Sequence, residues 1–261
     1  MNLHLVVNLE KDVSRWVDLS KRFEDSFSVI PQRVVGVHAA EQLSDVDLQR
    51  LRPDKEFPPL YPREITVGEV GCFLSHRKCW QLFLESEADW ALVMEDDIYF
   101  TRQAKIFVES TDWMPSGVDV CQICSYKPES EEYFVEEDSL VLGGGFSLIK
   151  ARSPISYGTQ AYWINRKAAR VALEKSKRIT GPVDHFLFNQ FGPFCQTLNV
   201  MSLSPFVVYQ DEARNGSLLT SERRRKQRSY WYYRIRRRFL KMKIGFLKRV
   251  IYKKMTRNID K

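Results

Sequence analysis

Apolar and polar positions along this 261-residue chain fall into two alternating rhythms. Leu3–Leu9 is a short apolar run that reads as a strand, and from about Asp12 to Asp25 apolar side chains recur at helical spacing. A second strand is expected around Gln32–Val37, followed by a polar helix over Ser44–Arg52. Strand, helix, strand, helix in that order implies parallel strands joined by crossover helices, hence an α/β protein. Residues Pro53–Arg63 carry Pro53, Pro58, Pro59 and Pro62, which excludes a helix or a central strand. A surface loop is expected there, of the kind that serves as a substrate lid. From Thr66 a helix is predicted through about Ser86, with Val70, Phe73, Leu74, Trp80 and Leu84 among its apolar positions.

Further along, Val118–Ser125 reads as a strand, and Tyr133–Ile149 as one or more strands interrupted by Gly143-Gly144-Gly145. That triplet lacks the helix-forming sequence that follows a phosphate-binding loop, so a tight turn or close backbone approach is expected. Another strand is placed at Tyr157–Ile164, a helix opens at Asn165, and a short helix follows Pro182-Val183-Asp184. Neither Walker nor Rossmann fingerprints occur. No internal repeat or low-complexity linker divides residues 1–222, which read as one domain.

The apolar run Trp90-Ala91-Leu92-Val93-Met94 ends abruptly in Glu95-Asp96-Asp97. Adjacent carboxylates repel and are costly to desolvate, so a buried strand has little reason to finish this way unless a cation is present. On an extended chain Glu95 and Asp97 point one way and Asp96 the other, a two-carboxylate claw for a hard ion such as Mg²⁺ or Mn²⁺. The residues alone equally allow a solvated turn, with Asp96 or Asp97 capping a helix that starts near Thr101.

Composition refines this picture. At 44% hydrophobic and 13% aromatic residues the chain can bury a substantial core and is not a disordered protein. Residues 1–222 hold 23 Lys and Arg against 32 Asp and Glu, net −9, whereas residues 223–261 hold 17 against 1, net +16. The basic character therefore belongs to the tail, which argues against a nucleic-acid-binding body and for a catalytic domain with a polybasic extension. The start, Met1-Asn2-Leu3-His4-Leu5, has no charged leader or small-residue cleavage site and enters a strand directly, so no signal peptide is expected. No apolar stretch reaches the roughly 18–20 residues that cross a bilayer. The expected location is cytoplasmic. Five cysteines, an odd number, point to reduced thiols. Cys121 and Cys124 form a C-x-x-C inside a buried-strand pattern with no second pair to complete a zinc site, and read as core thiols.

Around the acidic strand end stand three further segments: Thr66-Val67-Gly68-Glu69-Val70-Gly71-Cys72-Phe73-Leu74-Ser75-His76, Gly158-Thr159-Gln160-Ala161-Tyr162-Trp163-Ile164 and Pro182-Val183-Asp184-His185-Phe186-Leu187. In that order and spacing the chain resembles glycosyltransferase family 25, the lipopolysaccharide or lipooligosaccharide galactosyltransferases of Gram-negative bacteria. Val7-Asn8-Leu9-Glu10-Lys11-Asp12 with Arg15, and Tyr209-Gln210 with Ser217, fit the same pattern. The resemblance covers residues 1–222. It implies a GT-A-like fold, a Rossmann-type mixed sheet flanked by helices, with a nucleotide-sugar donor, usually UDP-galactose, and inversion at the anomeric carbon. It also favours the metal reading of the acidic triad.

On that reading Glu95 and Asp97 hold Mn²⁺ or Mg²⁺, which neutralises the departing diphosphate. Asp96 would hydrogen-bond ribose or sugar hydroxyls. Asn8 and Arg15 lie where open α/β sheets bind nucleotides, with a helix cap and a surface ion pair as their structural alternatives. Asp184 is the expected base that takes the acceptor hydroxyl's proton, with an N-cap role or a place in the metal site as alternatives. Glu69 and His76, seven residues apart on one helix face, either reach the cleft or satisfy buried polar groups.

The tail Arg223–Lys254 interleaves Lys and Arg with Tyr230, Trp231, Tyr232 and Tyr233, and Ile235, Phe239, Met242, Phe246 and Val250 share one helical face. A basic amphipathic helix on the anionic inner face of the cytoplasmic membrane is expected, where lipid-linked acceptors are presented. Packing on the acidic body is the alternative, and no nucleic-acid partner is expected. The whole reads as a peripheral, metal-dependent hexosyltransferase that takes a UDP-hexose and a lipooligosaccharide acceptor. A non-catalytic membrane or nucleic-acid adaptor on a degenerate scaffold is the reading from a different class.

Overall fold

The computed structural model describes residues 1–51, 65–125, 133–135, 139–150, 158–189, 192–211 and 253–255. The proline-rich loop, Ser217 and the predicted tail helix lie outside these, apart from the strand residues Lys253–Met255.

The first crossover runs from β1 (Asn2–Asn8) through α1 (Val13–Ser26) to β2 (Gln32–Val35), parallel to β1. Two short helices, α2 (Ala39–Gln42) and α3 (Asp45–Leu51), precede the long α4 (Val67–Glu85). The chain then enters β3 (Trp90–Glu95), parallel to β1 on its other side. Next come β4 (Ile98–Phe100) and α5 (Ala104–Glu109), so the helix that the solvated-turn alternative starts near Thr101 is preceded by a short strand. The predicted strand Val118–Ser125 divides at Ile123 into β5 (Val120–Gln122) and β6 (Cys124–Ser125), which join different sheets. After β7 (Tyr133–Val135), a hairpin of β8 (Leu140–Gly143) and β9 (Phe146–Ile149) turns on Gly143, Gly144 and Gly145, all at positive φ. The glycine triplet is thus a turn, because only glycine takes three such conformations without strain. Next come β10 (Ala161–Asn165), α6 (Arg166–Lys175), α7 (Val183–Phe188), β11 (Val200–Ser204) and β12 (Val208–Gln210). Finally β13 (Lys253–Met255) pairs with β7.

The large sheet has the order β2-β1-β3-β10-β5-β11-β9-β8. It is mixed because β10 runs against both β3 and β5, while β5 and β11 are parallel. A small sheet, β4-β12-β6, stands beside it. Leu5, Val93, Val120, Tyr162 and Ile164 face a core with residues of α4, α6 and α7. Val6, Leu92, Met94, Cys121 and Trp163 face a second core with residues of α1 and α5. Covering both faces is what makes β3 apolar at successive positions rather than at alternate ones.

α4 carries much of the site and is anchored at three points. Thr66 and Glu69 close a capping box: Thr66 Oγ1 accepts from the Glu69 amide at 3.2 Å, and Glu69 accepts from the Thr66 amide at 3.0 Å. Gly71 lets the helix touch the segment after β2, since a Cβ there would sit 2.5 Å from the Val37 carbonyl oxygen. One turn on, Ser75 Oγ accepts from the Val37 amide at 2.8 Å.

The opposite edge of the sheet is tied by Asp119. It accepts from the Asn199 amide at 2.9 Å, from Asn165 Nδ2 at 3.0 Å and from Lys167 Nζ at 3.0 Å. Asn165 also caps α6 by accepting from the Ala168 amide at 2.8 Å. Burial pushes the Asp119 carboxyl up, but the Asn199, Asn165 and Lys167 donors outweigh it and hold the group below its ordinary value of 3.8. The stability this supplies is therefore present above that value and lost as pH falls through the lower folded one. Asp119→Asn should cost on the order of 1–2 kcal/mol at neutral pH, with the gap to wild type closing under acid. Paired urea melts across pH would sink the assignment if the gap stayed constant.

Candidate active site

Strands β1, β3, β5 and β11 all end on one edge of the large sheet. From β1 the chain first moves outward to β2 and then crosses back to β3, so the winding reverses between β1 and β3. Open α/β sheets bind ligands outside the carboxyl ends of their strands at such a switch point. Here Asn8 ends β1, and Glu95, Asp96 and Asp97 finish β3 or follow it.

The first group joins three expected donor-binding residues. Asn8, 1% exposed, donates through Nδ2 to Asp96 Oδ2 at 2.6 Å and to the Asp12 carbonyl at 2.9 Å. Arg15 Nη1 lies 3.6 Å from Asp96 Oδ1. Burial raises the Asp96 carboxyl above the usual range; the Asn8 hydrogen bond and Arg15 oppose that, and Glu95 and Asp12 add to it. Asp96 is thus a half-paid carboxylate whose ionised form gains from any further donor, such as a ligand hydroxyl. Arg33, absent from the sequence expectations, completes the group: its Nε donates to Asn8 Oδ1 at 2.8 Å and its Nη2 to the Leu9 carbonyl at 3.3 Å. The available signal was a basic residue inside a short strand parallel to β1, opposite Val6.

Glu95 turns toward α4. Its Oε1 accepts from Thr159 Oγ1 at 2.6 Å and lies 3.6 Å from His76 Nε2. His76 is fully buried, with Nδ1 2.9 Å from the Tyr162 hydroxyl, which also accepts from Trp80 Nε1 at 2.9 Å. With its oxygen accepting from Trp80, the buried Tyr162 hydroxyl places its own proton by donating to His76 Nδ1. That assignment leaves the imidazole proton on Nε2, facing Glu95. The Gly158–Gln160 segment is held from below, since Gln122 Nε2 donates to the Gly158 carbonyl at 2.8 Å and Ser202 Oγ to Gln122 Oε1 at 3.2 Å. Gly158 takes a φ of +103°, open to glycine at little cost.

Asp97 takes a third direction. β3 stops at Glu95 and the backbone bends at Asp96-Asp97, so strand alternation does not extend to Asp97. Its Oδ2 accepts from Gln210 Nε2 at 2.9 Å, and its carbonyl accepts from the Asp211 amide at 2.8 Å. Gln210 Oε1 beside it is buried with no hydrogen-bond partner among the described residues. The three acids thus face three neighbours: α4, β1 and the end of β12.

Asp184 sits in the first turn of α7, two residues beyond the N-cap position, which Pro182 occupies. Its Oδ1 accepts from the His185 amide at 2.8 Å. α7 packs on α4 through Phe186 against Phe73 and Trp80, with centroids 5.2 and 6.0 Å apart. Glu69, expected among the donor-binding residues with a structural role as its alternative, is 2% exposed and its carboxylate closes the capping box. The edge therefore combines carboxylates in three environments with Arg15 and Arg33, a composition suited to a ligand carrying hydroxyls and phosphates.

Several known proteins are similar to parts of this chain. A lipooligosaccharide biosynthesis protein, lex-1, of Haemophilus influenzae is 26% identical over 180 residues, covering 64% of this chain and 58% of the relative. A procollagen galactosyltransferase 1-A of Xenopus laevis is 28% identical over 151 residues, 56% of this chain and 23% of that one. A putative glycosyltransferase of H. influenzae is 27% identical over 150 residues, 57% of this chain and 50% of its own. The chain thus spans about half the length of the two bacterial relatives it matches. The crystal structure of a glycosyltransferase involved in glycosylation of the major capsid of PBCV-1 aligns with 80% of this chain and 92% of its own, at 9% identity and a TM-score of 0.44. The family model described as glycosyltransferase family 25 (LPS biosynthesis protein) matches residues 1–187, from Asn8 through the acidic triad to Asp184, and the chain belongs to that family.

Proposed function

We propose that this chain is a metal-dependent, inverting hexosyltransferase that moves a hexose, galactose first, from a UDP-sugar to a lipooligosaccharide or lipopolysaccharide core. The observation that carries the reading is the acidic end of β3 at the sheet's switch point, with each acid given a separate partner. Asn8, Arg15 and Asp96 form the donor side: Asp96 accepts from ribose or sugar hydroxyls, and Arg15 faces the phosphate charge. Arg33 holds Asn8 and the Leu9–Glu10 carbonyls, and so keeps this lip in place.

A hard divalent cation fits beside Asp97. The buried, unbonded Gln210 Oε1 next to the Asp97 carboxylate is an oxygen donor of the type Mg²⁺ and Mn²⁺ prefer. Asp97 would hold the ion directly, with Glu95 as the second carboxylate of the site. When bound, the ion would supply Lewis-acid neutralisation of the leaving diphosphate. The residues' own contribution is positional: Thr159 fixes Glu95 and Gln210 fixes Asp97, so little reorganisation is required of either carboxylate as charge develops. Asp184, in the first turn of α7, takes the proton of the acceptor hydroxyl while that oxygen forms the new glycosidic bond. The polybasic segment after Glu222 supports a peripheral position on an anionic inner-membrane surface, where the acceptor is carried. Among the described residues no helix is long and apolar enough to cross a membrane.

Asp97→Asn keeps shape and removes charge, so transfer should be abolished with the melting temperature unchanged. Near wild-type turnover at saturating Mn²⁺ and UDP-sugar would overturn the metal assignment. Asp184→Asn should preserve donor affinity while transfer falls by about two orders of magnitude or more, the scale of losing a positioned base. Calorimetry of UDP binding separates the alternatives, because collapsed donor affinity would move Asp184 into the donor or metal site. Truncation after Glu222 should abolish co-sedimentation with anionic vesicles yet leave transfer to a small soluble acceptor. Intact protein should detach as salt rises, since each basic residue is worth about 1 kcal/mol within a Debye length. Vesicle binding that survives truncation would assign it to another part of the chain.

A further inference from the structure

The reaction proposed above uses Glu95 but gives no role to the sulfur beside it. Cys72 and His76 stand four residues apart on one face of α4, and Glu95 meets them from β3. One ligand atom from each, the thiol sulfur, a ring nitrogen and a carboxylate oxygen, lies within 4.8 Å of the others. We propose that Cys72, His76 and Glu95 form a site for a thiophilic divalent cation, Zn²⁺ first, which shares Glu95 with the oxygen-donor position beside Asp97 and differs from it in its sulfur and nitrogen donors.

The donor set is the first argument. One thiolate, one imidazole and one carboxylate suit zinc in its three-protein-ligand form with an open fourth position, and suit Mg²⁺ poorly. Spacing is the second. His76 Nε2 and Glu95 Oε1 are 3.6 Å apart, too far for a good hydrogen bond. Zinc bonds of about 2.0–2.1 Å at a tetrahedral angle set neighbouring ligands roughly 3.4 Å apart, so only small side-chain movement is needed. Orientation is the third. His76 Nε2 is buried with no hydrogen-bond partner among the described residues, while Nδ1 is fixed by the Tyr162 hydroxyl. Thr159 fixes the Glu95 oxygen in the same way. Outer partners of this kind orient metal ligands and sharpen affinity. Access is the fourth, since His76 is fully buried but Cys72 and Glu95 are partly exposed.

Binding forms Cys72 sulfur, His76 Nε2 and Glu95 oxygen bonds to the cation without any redox change. The thiol proton is released to solvent, one per ion. The imidazole proton passes from Nε2 to Nδ1, so His76 now donates to the Tyr162 oxygen and the Tyr162 hydroxyl turns its own proton away. A fourth position would be left for water or an anionic oxygen.

Cobalt reports this site independently of glycosyl transfer. Reduced, chelator-treated full-length protein titrated with Co²⁺ should take up one ion, with visible bands of tetrahedral cobalt and a near-ultraviolet thiolate charge-transfer band that added Zn²⁺ erases. Cys72→Ser should lose the charge-transfer band, whereas Cys195→Ser, which alters another partly exposed thiol, should keep it. Glu95→Gln should retain the band at affinity lowered about 10-fold or more, which keeps the test open should Cys72→Ser fail to fold. Excess Mg²⁺ should leave the spectrum unchanged. Absence of a thiolate band in wild type, its persistence in Cys72→Ser, or its displacement by Mg²⁺ would each overturn the proposal. Loss of transfer in Asp97→Asn with an intact cobalt spectrum would show the two sites failing separately.

Discussion

The whole carboxyl edge depends on one contrast along β3: complete cover up to Met94 and its sudden loss at Glu95. Through Ala91–Met94 the strand is enclosed by both cores, which leaves no freedom of register or tilt. A strand so constrained delivers its last residue to a fixed point, and the bend that follows distributes Asp96 and Asp97 to different neighbours. Charge that would be intolerable at Val93 is affordable two residues later, because Asn8, Arg15, Thr159 and Gln210 supply donors there. The same rigidity that stabilises the domain is what makes the acid positions reproducible.

α4 is the second determinant, and its sequence explains why. The capping box fixes where it begins, Gly71 fixes its distance from the segment after β2, and Ser75 fixes its rotation by bonding Val37. Once these are set, His76 and Trp80 both reach Tyr162 from the same helix face. Two unrelated demands, packing the core and orienting Glu95, are therefore met by one helical phase.

Much of this was legible in the chain itself. Thr66 and Asn165 announced their helices because capping is a local interaction that a few neighbouring residues encode. β1 and β3 were visible for a similar reason, since long apolar runs need no distant partner to be recognised. By contrast β4 and β12 are three residues each and exist because they pair with one another, with a further pairing of β12 to β6. No local window contains that information. The direction of Asp97 escaped for the same reason: alternation foresaw a shared face with Glu95, but β3 ends two residues before Asp97 and Gln210, more than a hundred residues away, supplies the partner. Arg33 was invisible as a site residue because its task is to hold Asn8, a relation that only the β1–β2 register creates.

β10 runs against both of its neighbours and so acts as a seam through the large sheet. On one side lie β1, β2 and β3 with their carboxylates; on the other lie β5, β11, β9 and β8. Because β10 bonds to each half through its own ladder, substitutions that reshape the β8–β9 hairpin or the loops beyond β11 need not disturb the pairing of β1 with β3. A fold divided this way can vary what one half meets while the other keeps its chemistry, and diversification within a single scaffold then requires no change in the register that holds Glu95.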